Sequence, residues 1–328
     1  MTVLVTGASG FLGSHIVEQL AQRGRPVRAL VRKTSNTKFL EGLENVELAY
    51  GSVDDQESVL KAADGVEAII HAAGLVKARG PAEFWSINTE GTQNMLTAAL
   101  RQKGRLKRFV LVSSQAAGGP SDASGRPVRV GQETVPVTNY GRSKLAAEQA
   151  TQALQDELPV TILRPPAIYG PRDREILIFF KSVHKGILPL TNPLSAKYSM
   201  IYGPDCASAC IRAIDADIPS GSTFYLDDGE PVTFEEMIHA VEEALGTRAW
   251  MRLPLPRPIV RTAALFSELY GNVTNQAVML TRDKCNELFN QWVCDGNSVR
   301  EKLSWQPTVQ FFEGVKLTAA WYKQAGWL

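Results

Sequence analysis

One eight-residue stretch, Thr6-Gly7-Ala8-Ser9-Gly10-Phe11-Leu12-Gly13, constrains what this chain can fold into more than any other. It follows directly on the apolar, β-branched run Thr2–Thr6. It opens a segment in which Ile16, Val17 and Leu20 recur at helical spacing until Gly24. A glycine-rich turn that ends a buried strand and starts a helix is the context a dinucleotide fingerprint requires. Gly7 permits the tight turn. Gly10 lets backbone amides of the loop, with Phe11 and Leu12, approach a pyrophosphate, and Gly13 allows close packing of helix on strand. Taken alone, a GxxGxxG loop can also be a strand–helix turn without a ligand. Its place at the first βα junction decides for a cofactor.

The rest of the first half repeats the alternation. Val27–Val31, Val46–Tyr50, Val66–His71, Phe109–Ser113 and Val160–Leu163 read as strands. Helices are expected over Asp54–Ala63, with Asp54 or Asp55 as N-cap, over 82–101 and over Tyr140–Leu158. Strands alternating with helices of this length specify an α/β fold, a doubly wound parallel sheet of Rossmann type. After Pro171 the pattern loosens into single helices, Phe234–Leu245, Thr281–Phe289 and Phe312–Lys323, joined by Pro-rich links such as Leu253–Pro258. The expected organisation is a dinucleotide-binding domain from 1–170 and 204–229. A smaller, mainly helical C-terminal substrate region would take 171–203 and 230–328.

Charge and cysteine usage exclude several functions. The chain carries 35 Lys+Arg against 34 Asp+Glu, a formal net charge of +1, which argues against a nucleic-acid binder. The N-terminus has no basic region or cleavage site, and no run of 18 apolar residues exists, so no transmembrane segment is expected. Cys206, Cys210, Cys285 and Cys294 have neither CxxC spacing nor histidine partners nearby, which reads as reduced thiols, no metal site and a cytoplasmic protein.

The end of the second strand chooses between cofactors: an acidic residue there binds the ribose 2′-hydroxyl of NAD, whereas arginine accommodates a 2′-phosphate. Here Arg32-Lys33 is preceded by Arg28 and followed by Lys38, with no carboxylate until Glu41. A solvated basic loop is the bland alternative; the position favours NADP(H) over NAD(H). Further on, Tyr140 and Lys144 stand four residues apart, on one face of a helix. A free phenol has a pKa near 10, and an adjacent ammonium is expected to lower it into a usable acid/base. Ser114, at the carboxyl end of the fifth strand, can hydrogen-bond a substrate carbonyl, and strand alternation should turn Ser113 away.

TGASGFLG, HAAG at 71–74, NTEGT at 88–92, VSSQAAG at 112–118, YGRSK at 140–144 and LRPPAIYGP together resemble the short-chain dehydrogenase/reductase superfamily. Length and the closing pattern LSWQPTVQFFEGVKLTAAWYKQAG place the resemblance in its extended, epimerase/dehydratase-like branch. The resemblance implies Tyr140 as general acid/base, with Lys144 holding the ribose hydroxyls and lowering the tyrosine pKa. Ser114 would polarise the substrate oxygen, and Asn88 would support a proton relay or position Lys144. Ala72, Ala73 and Gly74 would line the adenosine ribose, and Pro165 with Ile168 the nicotinamide. Where the family commonly has Asp contacting adenine, this chain has Ser52, so the contact is weaker or shared with Val53. The helices at 82–101 and 140–157 resemble those forming a four-helix interface, implying a homodimer.

Two departures bear on the substrate. Nucleotide-sugar enzymes of this branch usually carry Asn in RxxNxYGP and Arg seven residues before the position of Asp205; here Ala167 and Tyr198 stand there. Losing an amide and a guanidinium removes contacts that a diphosphate needs. Pro256–Tyr270 is apolar at helical spacing, which core packing or a dimer surface explains more readily than a substrate lid. VRALVR and the TSN beyond it resemble reductases of flavonoid ketones and hydroxysteroids. The expected activity is NADP(H)-dependent interconversion of a ketone and a secondary alcohol on an apolar small molecule. The alternatives are a nucleotide-sugar epimerase or dehydratase with tightly held cofactor, and a non-catalytic dinucleotide sensor.

Overall fold

A computed structural model describes residues 1–278 and 280–328. The chain begins with β1 (Val3–Thr6), α1 (Phe11–Gln22), β2 (Val27–Val31), β3 (Val46–Tyr50), α2 (Gln56–Ala63) and β4 (Ala68–His71). It continues through α3 (Pro81–Phe84), a π-helical turn (Trp85–Glu90), α4 (Gly91–Arg101), β5 (Arg108–Val112), α5 (Gln115–Gly118), α6 (Asn139–Gln152) and β6 (Val160–Arg164). Next come β7 (Ala167–Tyr169), α7 (Leu177–His184), β8 (Ile187–Leu190), β9 (Lys197–Tyr198), β10 (Met200–Tyr202), α8 (Gly203–Asp215) and β11 (Ser222–Tyr225). The last are β12 (Val232–Thr233), α9 (Phe234–Leu245), β13 (Met251–Pro254), α10 (Arg257–Thr274), α11 (Arg282–Leu288), α12 (Asn297–Leu303) and α13 (Phe311–Gln324).

Seven strands form one parallel sheet in the order β11-β6-β5-β4-β1-β2-β3. Its central strands are mostly apolar because both faces are covered. β1, β4, β5 and β6 are buried at every position. One face packs on α1 and α8, through Val3, Val5, Ile16, Leu20, Ala209 and Ile211. The other packs on α2, α4 and α6, through Leu4, Ile69, Val59, Met95, Phe109 and Ala147. Chain order reverses between β1 and β4, and in open α/β sheets the ligand crevice lies at such a switch point, outside the carboxyl ends of the strands. The sheet is the Rossmann arrangement expected from the alternation.

Beyond β6, short two-stranded pairings, β7 with β10, β9 with β12 and β8 with β13, tie the later segments together. A third core around Tyr169, Phe180, Met200, Phe311 and Tyr322 packs α7, α9 and α13. Among the described residues, no helix is long and apolar enough to cross a membrane, and all four cysteines are buried free thiols.

Three local expectations change. The 82–101 helix is interrupted by the π turn, because Asn88 is drawn onto Leu75 and Ser143. Regular helix after Asn139 ends at Gln152 and gives way to turns before Leu158, which precedes Pro159 and is disfavoured in helix for that reason. The Leu253–Pro258 link supplies the end of β13, paired with β8, and then the first turn of α10. The apolar stripe at Pro256–Tyr270 is core packing only in part. Val260 and Ala264 are buried, but Ile259, Leu265, Phe266 and Leu269 are exposed.

Candidate active site

The glycine loop is shaped by contacts between backbones. Gly7 has φ +66°, and a Cβ on it would lie 2.8 Å from the Ala72 carbonyl oxygen and the Ala73 amide. A Cβ on Gly13 would lie 2.0 Å from the Gly7 carbonyl oxygen. Gly10 is the N-cap residue of α1 and supplies no side-chain cap. The amides of Phe11, Leu12 and Gly13 in the first turn are therefore left for an outside acceptor, at the positive end of the helix dipole. A pyrophosphate fits this donor set, and no side chain competes for it.

Around the loop, Ala72 and Ala73 are partly buried and Gly74 is exposed at the end of β4. Ser52 is held by Ser58, whose hydroxyl donates to the Ser52 carbonyl and accepts from its amide. Val53 is buried against Gly91, and its carbonyl accepts from Asn94. Pro165 is buried and accepts the Gln115 amide, while Ile168 lies half-buried in β7. Arg32 and Lys33 are exposed at the end of β2, and the ion pairs among the described residues do not include them. Arg28 is not part of their cluster. It pairs with Glu47 and donates to the Ala62 and Asp64 carbonyls, a cation serving the C-terminal end of α2.

Ser114, Tyr140, Lys144 and Asn88 come together at the carboxyl end of β5. Ser114 caps α5, accepting the Ala116 amide at 3.1 Å, and its hydroxyl lies near enough to the Tyr140 phenol to favour the phenolate. Ser113 is buried and turned away, as alternation requires. Lys144 donates to the Val112 carbonyl at 2.7 Å. Asn88 Oδ1 accepts the Leu75 amide at 2.7 Å, and its Nδ2 donates to the Leu75 carbonyl and to Ser143 Oγ at 3.0 Å. Both ends of the Asn88 amide are thus engaged, with Leu75 and Ser143. A Cβ on Gly74 would stand 3.2 Å from Asn88 Oδ1 and 3.8 Å from Lys144 Nζ, which places this glycine directly beside the pair.

The electrostatics differ from the expectation of an acidified phenol. Burial pushes the Tyr140 pKa up to about 12, only partly opposed by Ser114, and Glu287 adds to the rise. Burial likewise pushes Lys144 down to about 8, with Glu148 opposing. The ammonium is turned to Val112, and desolvation outweighs any help it gives the phenolate. At neutral pH the pair is thus a protonated phenol beside an ammonium.

Residues 3–226 match the NAD dependent epimerase/dehydratase family. The chain belongs to that family. Among relatives in the epimerase/dehydratase family, it is 32% identical to the ceramide reductase of Caulobacter vibrioides, over 99% of this chain and 96% of that one. It is 34% identical to sterol demethylase protein B of Methylococcus capsulatus, over 82% and 81%. In fold it resembles the UDP-glucose 4-epimerase of Thermus thermophilus, solved with NAD, at a TM-score of 0.79 and 24% identity, covering 99% of this chain and all of that one. This epimerase/dehydratase-family chain is an NAD(P)-dependent enzyme of the extended short-chain dehydrogenase/reductase type.

Several site residues of this epimerase/dehydratase-family member escaped the sequence. His71, wholly buried and pushed down to about 3 by desolvation and Lys144, is a neutral ring. Its Nδ1 accepts from Thr6 at 2.7 Å and its Nε2 donates to Thr92 at 3.0 Å; Thr92 in turn donates to the Asn88 carbonyl. This chain of bonds links the strand that precedes the glycine loop to Asn88. Ser143 ties Asn88 to the Tyr140 carbonyl. Glu287 comes from α11, which docks on α6 where Asp283 accepts the Asn139 amide at 2.8 Å. One turn beyond Asp283, Glu287 pairs with Lys284 through one oxygen, while the other is buried without a partner. No spacing rule signals such a residue. Tyr140, the group whose pKa its charge raises, is 147 positions away in the numbering.

Proposed function

We propose that this family member is an NADP(H)-dependent oxidoreductase interconverting a ketone and a secondary alcohol on an apolar, cyclic or lipid-like small molecule. The observation that carries the chemistry is the gathering of Ser114, Tyr140 and buried Lys144 at the carboxyl end of β5. When bound, the nicotinamide supplies or accepts the hydride. Ser114 donates to the carbonyl oxygen, Tyr140 delivers its proton there, and Lys144 stabilises the phenolate left behind. A phenol held in its acid form suits reduction of the ketone. Arg32 and Lys33 would take the 2′-phosphate.

The substrate reading rests on residues that depart from the nucleotide-sugar pattern and on the charge near Tyr140. Tyr198, in place of a diphosphate-binding arginine, is half-buried against Phe234 and takes a hydrogen bond from Asn192. Ala167 presents a methyl group where an amide would stand. Glu287 brings a carboxylate toward Tyr140, unfavourable for an anionic substrate. The names of the ceramide and sterol relatives agree with this reading. A second reading, a nucleotide-sugar epimerase, is favoured by the structural likeness to the Thermus thermophilus enzyme, and the same tyrosine would serve it.

Absorbance at the nicotinamide band distinguishes them. Purified protein with NADPH and a panel of sterol, flavonoid and long-chain acyl ketones should oxidise NADPH with at least one of them. Tyr140→Phe should lower kcat by about 10²–10⁴-fold while NADPH still binds. Conversion of a UDP- or dTDP-sugar without net change in absorbance would overturn the ketone reading. A Tyr140→Phe protein as active as the wild type would overturn catalysis by this site.

A further inference from the structure

α10 carries two apolar faces, and only one of them has a partner. At about 100° per residue, Val260, Ala264 and Gly271 fall together on the side packed against α11, where Cys285 and Phe289 complete a small core. Ile259, Phe266, Leu269, Tyr270 and Val273 fall within an arc of about 100° on the opposite side. All five are exposed, Phe266 at 66% and Val273 at 87%. Eight of the seventeen exposed large apolar side chains among the described residues lie between Arg248 and Thr274, including Trp250 at 72%. Exposed apolar surface gathered in this way marks a docking face.

The charges around it state what docks. Arg248, Arg252, Arg257 and Arg261 against the single Glu268 give this segment a net charge of +3, in a chain whose total is +1. At the flank of the stripe, Arg142, Arg257 and Arg261 line a crevice of about 440 Å³ with Pro136, Asn286 and Phe289. No carboxylate lines it. Arg257 and Arg261, both exposed residues, lie over the Phe289 ring at 5.2 and 5.9 Å, and Arg257 also donates to the Phe289 carbonyl. An apolar stripe edged by arginines, with a tryptophan and a tyrosine beside it, has the make-up of a helix lying in a membrane interface. The space is that of a phosphate headgroup, and arginine is the side chain that matches its oxygens in pairs.

We propose that α10 is a membrane-surface helix: its outward stripe enters the interfacial layer of a bilayer, and the crevice of Arg142, Arg257 and Arg261 takes the phosphate of an anionic lipid. This does not depend on the substrate reading. It does place the cover of the active site at the bilayer, since α10 packs on α11 and α11 packs beside Tyr140.

The test is flotation of the full chain with vesicles of phosphatidylglycerol and phosphatidylethanolamine, against vesicles of phosphatidylcholine, without substrate. The wild type is expected to float with the anionic vesicles, at least tenfold more than with the neutral ones, and to be released by high salt. F266E/L269E should lose at least tenfold of that binding, and R142Q/R261Q should lose the preference for anionic lipid. Circular dichroism and NADPH binding of both variants should match the wild type, because every altered side chain is exposed. Failure of the wild type to float overturns the proposal. So does a stripe variant that floats as well as the wild type, or one that instead turns a dimer into a monomer by light scattering, which would make a second copy the occupant. Equal binding to both vesicle types overturns the headgroup half.

Discussion

The cradle at the head of α1 and the cover formed by α10 and α11 are held by different means. The loop from Thr6 to Gly13 rests on strands in which Val3, Val5 and Ile70 are fully buried, and its shape comes from backbone lying on backbone. The cover rests on Val260, Ala264, Cys285 and Phe289 and on polar ties: Asp283 to the Asn139 amide, Asn286 to the Val137 carbonyl, Arg282 to Glu268. The first arrangement admits almost no added atom. The second can open with the loss of few buried contacts. What every reaction of such an enzyme needs is built where the structure is most rigid.

The sharpest way to break this contrast is to add one carbon to the cradle. Gly13→Ala would place a methyl group 2.0 Å from the Gly7 carbonyl oxygen, against backbone that cannot yield. An overpacking cost of about 2–3 kcal/mol is expected, seen as a fall of about 100-fold in NADPH affinity by fluorescence titration. Wild-type affinity would show that the loop is as adaptable as the cover. Arg32→Ala, at the exposed rim of the same half, should be milder: about tenfold weaker NADPH binding with NADH binding unchanged. An equal loss for both cofactors would remove Arg32 from the phosphate.

The smallest effect is expected from the cover. Glu287→Gln keeps the shape and removes a negative charge facing Tyr140. The charge favours the protonated phenol, so its removal lowers the Tyr140 pKa from about 12. Ketone reduction needs that proton, and the alkaline limb of kcat/KM should therefore move to lower pH, with KM changed and NADPH affinity intact. A pH profile that does not move would separate Glu287 from the catalytic tyrosine.

The same contrast decides what could be read from the chain beforehand. Glycines that touch backbone, a capped helix and fully buried strands follow from local chemistry, and so the sheet and the loop were legible. Tyr140 and Lys144 were legible because four residues on a helix bring them to one face. The acidity of the phenol was not. It depends on desolvation by surroundings drawn from distant segments, and burial outweighed the ammonium. Arg28 and Arg32 looked alike as a basic run, but they diverge once α2 offers Arg28 its carbonyls. The π turn at Trp85–Glu90 was hidden because helix propensity carries no record of Asn88 being pulled toward Leu75. The stripe of α10 had the right period for a helix, but periodicity does not say whether a face meets protein or solvent.

The placement of β11 has a consequence for synthesis. The sheet's outermost strand beyond β6 is contributed by Ser222–Tyr225, and one face of the sheet is covered by α8, from Gly203–Asp215. A ribosome adding about 5–20 residues per second will have released β1 to β6 several seconds before those elements exist. During that interval the nascent sheet presents an open edge along Thr161–Arg164 and an uncovered apolar face, both invitations to strand pairing with other chains. Arg164 then waits for Tyr225 to complete its hydrogen bonds. Slowed translation between Arg164 and Ser222 should raise aggregation more than the same delay placed after Tyr225.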